Sequence, residues 1–178
     1  MLNKLILLDG MALAYRAHFA LIRSPRMTSG GICTSAVFGI LNTLLDILKR
    51  ESPTHVAVAF DTREPTARHA LFPAYKAQRD AMPEDIAKQL PYIERLFEAF
   101  NVPVIKLPGY EADDIIGTLA HQAVNEGFQV LMNSKANSGK ESRSLPIKRD
   151  SPKSWSPFSW MCPMPSISSP WACKLPTM

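Results

Sequence analysis

Two apolar runs of strand length each stop at an aspartate, and that repetition constrains the fold more than any other feature of the chain. Leu5-Ile6-Leu7-Leu8 ends at Asp9-Gly10, and His55-Val56-Ala57-Val58-Ala59-Phe60 ends at Asp61. Short continuous apolar runs suit strands buried on both faces, as in a parallel sheet. Between them, Ala36 to Lys49 carries Val37, Phe38, Ile40, Leu41, Leu44, Leu45 and Leu48. Such a wide face predicts a well-buried packing helix, with Thr34 or Ser35 as its N-cap. Strand, helix and strand make a βαβ unit whose right-handed crossover brings both carboxyl ends to one edge of the sheet. Asp9 and Asp61 then share the edge at which open α/β sheets bind ligands.

The alternation continues along the chain. Met11 to Leu21 reads as a helix carrying Tyr15, Arg16 and His18, followed by a loop broken by Pro25, Gly30 and Gly31. Pro83-Glu84-Asp85 opens a helix with the stripe Ile86, Leu90, Ile93, Leu96, Phe97 and Phe100. Pro91 is expected to kink it. Val102 to Leu107 is a third strand, Glu111 to Asn125 a helix, and Phe128 to Met132 a fourth strand. The expected fold class is α/β, a doubly wound, mostly parallel sheet.

The stretch Gly109-Tyr110-Glu111-Ala112-Asp113-Asp114 sets three carboxylates ahead of the run Ile115, Ile116, Leu119, Ala123 and Val124. Acids in a helix's first turn ordinarily complement its dipole, for roughly 0.3–1 kcal/mol. Here they join Asp9 and Asp61 at one edge, and two charges about 4 Å apart repel by roughly 4 kcal/mol at an effective dielectric near 20. The cluster therefore needs protons or cations. Oxygen donors without His or Cys select Mg²⁺ or Mn²⁺ over zinc, and paired ions of that kind hydrolyse phosphodiesters. Thr62 to Met82, with Arg63, Arg68, Tyr75, Lys76 and Arg79, reads equally as a solvated connection or as phosphate-seeking cations around a stacking ring.

The formal charge of +4 is not a nucleic-acid signal, because it belongs to the tail. From Asn133 onward there are seven basic and two acidic residues, so the preceding part is near neutral. The tail also holds seven of the fifteen prolines and all three tryptophans, Trp155, Trp160 and Trp171, with no periodicity. A core at 1–132 and a Ser/Pro-rich disordered tail at 133–178 are expected, the tail being a linker or the product of a shifted reading frame. Cys33, Cys162 and Cys173 form neither a zinc pattern nor an even disulfide set. The apolar start is too short for a signal peptide and no membrane span is visible, so a cytoplasmic protein is expected; a monomer is expected as well.

Four groups of residues closely resemble one family. They are Leu7-Leu8-Asp9-Gly10 with Tyr15-Arg16; Phe60-Asp61-Thr62-Arg63 with Thr66 and Arg68-His69; Tyr75-Lys76-Ala77-Gln78-Arg79; and Gly109 to Asp114. Together they resemble the 5′-nuclease domain of bacterial DNA polymerase I, a flap-endonuclease-type, PIN-like fold, from Met1 to about Met132. The resemblance implies 5′-3′ exonuclease and 5′-flap endonuclease activity on DNA, with removal of RNA primers in replication and repair, at the bacterial nucleoid. It implies Asp9, Asp61, Glu111 and Asp113 as catalytic metal ligands for Mg²⁺ or Mn²⁺, with Asp114 acting directly or through water. Lys76 and Arg79 would contact the scissile phosphate, Tyr75 the terminal nucleotide, and Arg16 and Arg68 the DNA. The family's fourth strand leads to an Asp-x-Asp pair for a second metal, then a helix-hairpin-helix; here Asn133-Ser134-Lys135-Ala136-Asn137 follows, and Ala67 replaces a usual aromatic. A noncatalytic DNA-binding remnant, a PIN-like ribonuclease and a phosphoacceptor domain are the alternatives. The incomplete sheet is expected to be marginally stable, with an aggregation-prone edge at its fourth strand.

Overall fold

The structure, a computed structural model, describes residues 3–62, 64–66, 68, 71, 72, 75 and 81–133. Lys76, Arg79, Ala67 and the tail from residue 134 lie outside the described residues. Four parallel strands, β1 (Lys4–Asp9), β2 (His55–Ala59), β3 (Val104–Ile105) and β4 (Gln129–Asn133), form one sheet in the order β3-β2-β1-β4. Among the described residues the helices α1 (Gly10–Ala20), α2 (Ser35–Glu51), α3 (Glu84–Ala99) and α4 (Ala112–Asn125) lie between them, α1 and α2 both between β1 and β2. The order reverses between β1 and β4, so the doubly wound expectation holds, with its switch point beside the first strand.

Strand periodicity divides the core into two layers. Ile6, Leu8, Val56 and Val58 face α1, α2 and α3, where they meet Leu13, Ile40, Ile86 and Phe97. Leu5, Leu7, Ala57 and Ala59 face α4, where Ile115, Ile116, Leu119 and Ala123 cover them. The small Ala57 and Ala59 of β2 let α4 lie close on that side.

Helix α3 contains Pro91 within its span, so the carbonyl of Ala87 lacks its helical donor there. Two details depart from the sequence expectations. Helix α2 is less buried than its apolar face predicts, since Phe38 is 41% and Leu45 37% exposed and only Ser35, Ala36, Ile40 and Leu44 are buried. One layer of neighbours, α1 and α3, covers only part of a face that wide. Asn133, expected to lie outside regular structure, closes β4, paired with Leu8.

Gly10 and Phe60 fix the spacing at the sheet's carboxyl edge. A Cβ on Gly10 would stand 2.2 Å from the Phe60 ring, which is buried against Phe97. Only glycine lets β1 turn into α1 beside the residue that precedes Asp61.

Candidate active site

The carboxyl ends of β1 and β2 and the start of α4 bring the sequence-selected acids to one edge. Asp9 is the N-cap of α1, accepting from the Ala12 amide at 2.8 Å, so the strand's last residue also orients the first helix. Asp61 lies two residues beyond β2, and its Oδ1 accepts from the Ala112 amide at 2.6 Å. That bond draws the start of α4 to the end of β2. Asp113 follows Ala112 and is exposed. Burial pushes the Asp9 carboxyl above the ordinary aspartate range against the pull of the Ala12 amide, and the charges of Asp113 and Asp61 push it further the same way. The charges of Asp61 and Asp113 therefore both reach Asp9, as the strand reading anticipates.

Glu111 and Asp114 behave differently. Both are buried, at 8% and 4% exposure, and both are held by Arg68. The guanidinium grips Asp114 as a fork, Nη1 to Oδ2 at 2.9 Å and Nη2 to Oδ1 at 2.5 Å, while Nη1 also lies 2.9 Å from Glu111 Oε2. Burial opposes the arginine's charge, but the Asp114 hydrogen bond and the Asp114 and Glu111 charges outweigh it and raise its pKa. Tyr75 donates its hydroxyl to Glu111 Oε2 at 3.2 Å, and the Glu111 amide donates to Asp114 Oδ2 at 3.3 Å. Arg68 thus joins Glu111 and Asp114 on one side of the start of α4.

Arg16 reaches from α1 to the end of β4, where Nη1 and Nη2 donate to Asn133 Oδ1 at 3.4 and 3.5 Å. Among the described residues no group of three or more His, Cys, Asp or Glu side chains converges closely enough to hold a metal ion. Donor chemistry fits a hard divalent cation nonetheless: Asp9, Asp61 and Asp113 offer oxygen alone, and the charges of the last two bear on Asp9. Lys76 and Arg79 lie outside the described residues. Sequence reasoning missed the Arg68 ion pairs and the bond from Asp61 to α4, because both join residues more than forty positions apart. No helix among the described residues is long and apolar enough to cross a membrane.

Comparison with known proteins bears on this edge. The family described as "5'-3' exonuclease, N-terminal resolvase-like domain" matches residues 4–136. The chain is 47% identical over 129 residues to the DNA polymerase I of Synechocystis, covering 71% of this chain and 13% of that protein. It is also 47% identical over 131 residues to the enzyme of Geobacillus stearothermophilus, covering 73% and 15%. The chain thus spans about one seventh of the length of such relatives. Among solved structures, the T5 D15 protein co-crystallised with metal ions superposes with a TM-score of 0.52 at 23% identity, over 73% of this chain and 48% of that one. This likeness shows the fold.

Proposed function

The chain belongs to the family of 5′-3′ exonuclease N-terminal resolvase-like domains, and from that membership we propose that it is a divalent-metal-dependent nuclease acting at 5′ ends and 5′ flaps of DNA. The observation that carries the reading is the gathering of Asp9 at the end of β1, Asp61 just beyond β2 and Asp113 in the first turn of α4 at the carboxyl edge of the sheet. Asp9, Asp61, Glu111 and Asp113 would hold the ion, Mg²⁺ or Mn²⁺ by donor type, with Asp114 beside them. The ion would supply an activated water and neutralise charge on the phosphodiester. The protein's own groups do the placing. Asp9 and Asp61 are oriented by the Ala12 and Ala112 amides, and Arg68 holds Glu111 and Asp114 in a fixed relation to α4. Tyr75, Lys76 and Arg79 are proposed to meet the substrate strand and its phosphates, and Arg16 the DNA further along. RNA primers, action as a monomer and a place at the nucleoid belong to the same proposal.

Asn133 favours a second reading. It ends β4 beside Leu8 with an amide where the family pattern leads toward further aspartates, and its oxygen is engaged by Arg16. A chain that binds flap DNA without turning it over would follow if those acids are required. Single-turnover cleavage of a labelled 5′-flap DNA in Mg²⁺ or Mn²⁺, beside the Asp113→Ala variant, separates the two. Cleavage abolished by the substitution supports the nuclease; binding without cleavage by folded protein supports the second reading.

A further inference from the structure

Gln89 is the least expected buried polar side chain of the fold. It sits in the second turn of α3 at 1% exposure, inside a layer otherwise filled by Ile86, Ile93 and Phe97. Its carboxamide is engaged at both ends. Oε1 accepts from the Ala36 amide at 2.9 Å and the Val37 amide at 3.3 Å, and Nε2 donates to the Asp85 carbonyl at 2.8 Å. Ala36 and Val37 are the second and third residues of α2, so their amides are among those a helix leaves without internal partners. Thr34, in the N-cap place of α2, makes no capping bond with its own side chain. A side chain from another helix, fifty-three positions away from Ala36, does the capping instead.

The residues just before α2 have another task. The Thr34 amide and hydroxyl both donate to the Arg26 carbonyl, at 2.7 and 3.2 Å, and the Arg26 amide donates to Ser35 Oγ at 2.9 Å. Both backbone groups of Arg26 are thereby pinned to the start of α2. From that point the chain makes a small hairpin, bridged between Met27 and Cys33, which carries the exposed Met27 and Ile32. The Arg26 guanidinium stacks over the Phe38 ring at 5.2 Å.

Topology sets this hairpin on the side of the acids. The far end of α2 is fastened to the opposite edge, where Lys4 donates to the Glu51 carbonyl at 2.7 Å. Seventeen residues of helix reach about 25 Å, enough to span the sheet from that edge to the carboxyl edge. Helix α3 likewise ends beside β3 and begins on the acid side, just after the chain that carries Arg68 and Tyr75. One carboxamide thus joins the hairpin to the helix that follows these two residues.

We infer that Gln89 is a positioning residue, whose carboxamide sets the Arg26–Ser35 hairpin against the carboxylate edge and so governs how a nucleic-acid strand is held rather than how its bond is broken. The inference rests on the nuclease reading above only for the identity of the strand. Its test uses the whole chain carrying Gln89→Met, which keeps length and apolar volume but offers neither hydrogen bond, and Gln89→Glu, which restores the acceptor alone. Hydrogen exchange is read at the Ala36 and Val37 amides, with flap-DNA Kd and the saturating single-turnover rate measured alongside. In Gln89→Met these two amides are expected to exchange at least tenfold faster relative to the middle of α2, with Kd weakened several-fold and the saturating rate unchanged. Gln89→Glu is expected to recover their protection. Unchanged exchange in folded Gln89→Met overturns the clamp, and a fall in saturating rate at unchanged Kd overturns the positioning role. Wild-type chain that neither binds nor cleaves flap DNA overturns the nuclease reading and the strand-holding role with it, while the exchange contrast still decides the clamp.

Discussion

Arg68 is the residue whose loss should cost the fold most for its size. Its guanidinium makes three contacts of 2.5–2.9 Å to two carboxylates that are almost fully buried, and its own side chain is only 16% exposed. Removing one partner of a buried pair typically costs about 3–5 kcal/mol, because the charge left behind stays desolvated. Glu111 retains the Tyr75 hydroxyl and Asp114 retains the Glu111 amide, which places Arg68→Met near the lower end, about 3 kcal/mol. With a urea m-value of about 1.5–2 kcal/mol/M, the midpoint should fall by about 1.5–2 M. Arg68→Lys keeps a charge but cannot fork onto Asp114, and should recover part of the loss. The decisive variant is Arg68→Met combined with Glu111→Gln and Asp114→Asn, which removes the orphaned charges and should regain most of the stability. Urea unfolding at neutral pH, without divalent ions, reads all four proteins. A loss under about 1 kcal/mol for Arg68→Met, or a triple variant no better than the single one, would refute the view that Arg68 is the counter-charge of a buried acid pair.

Other outcomes follow from the same edge. Burial raises the Asp9 carboxyl above the ordinary aspartate range, so its contribution to stability is fully present below that range and is lost as pH rises through the raised value. In metal-free buffer Asp9→Asn, which keeps a capping oxygen, should therefore be more stable than wild type at pH 7 and not at pH 4. Asp9→Ala loses the Ala12 cap and should sit about 1 kcal/mol below Asp9→Asn in urea melts. Gly10→Ala forces a methyl against the Phe60 ring and should cost about 1–3 kcal/mol, with weakened protection at Ala12; an unchanged melt would show that the ring can yield. Mg²⁺ or Mn²⁺ at a hundredfold over its Kd should stabilise the wild type by about 2.7 kcal/mol, reversed by chelator and absent in an Asp9→Asn/Asp113→Asn variant; equal stabilisation of both proteins would place the ion elsewhere.

Periodicity made the frame readable. Leu5 to Leu8 and His55 to Phe60 could only be buried strands, and Asp9 and Asp61 followed as edge residues because a strand's end is a local property. What sequence could not show is pairing between distant polar groups. Gln89 looks like any polar position on an amphipathic helix until α2 is seen to lack its own cap. Arg68 reads as a surface cation until Glu111 and Asp114 are seen to be buried around it. Pro91 stays inside α3, whose span is held by the packing of Ile86, Ile93 and Phe97 on either side of it. The exposed Phe38 and Leu45 show a helix whose apolar face is wider than what its neighbours cover.

The strand order has a consequence in time. Among the described elements β1 is made first, yet one of its neighbours, β4, is made last, some 125 positions later. During synthesis β1 can pair with β2 and pack on α1 and α2 early, through short separations. Its other flank, and the layer that Leu5 and Leu7 share with α4 and Val130, waits until nearly all of the described chain exists. Folding should therefore split into a fast step on the three-helix side and a slow one that docks α4 and β4. Through that interval the acids of β1 and β2 are already assembled, while Asp113 arrives only with the later step.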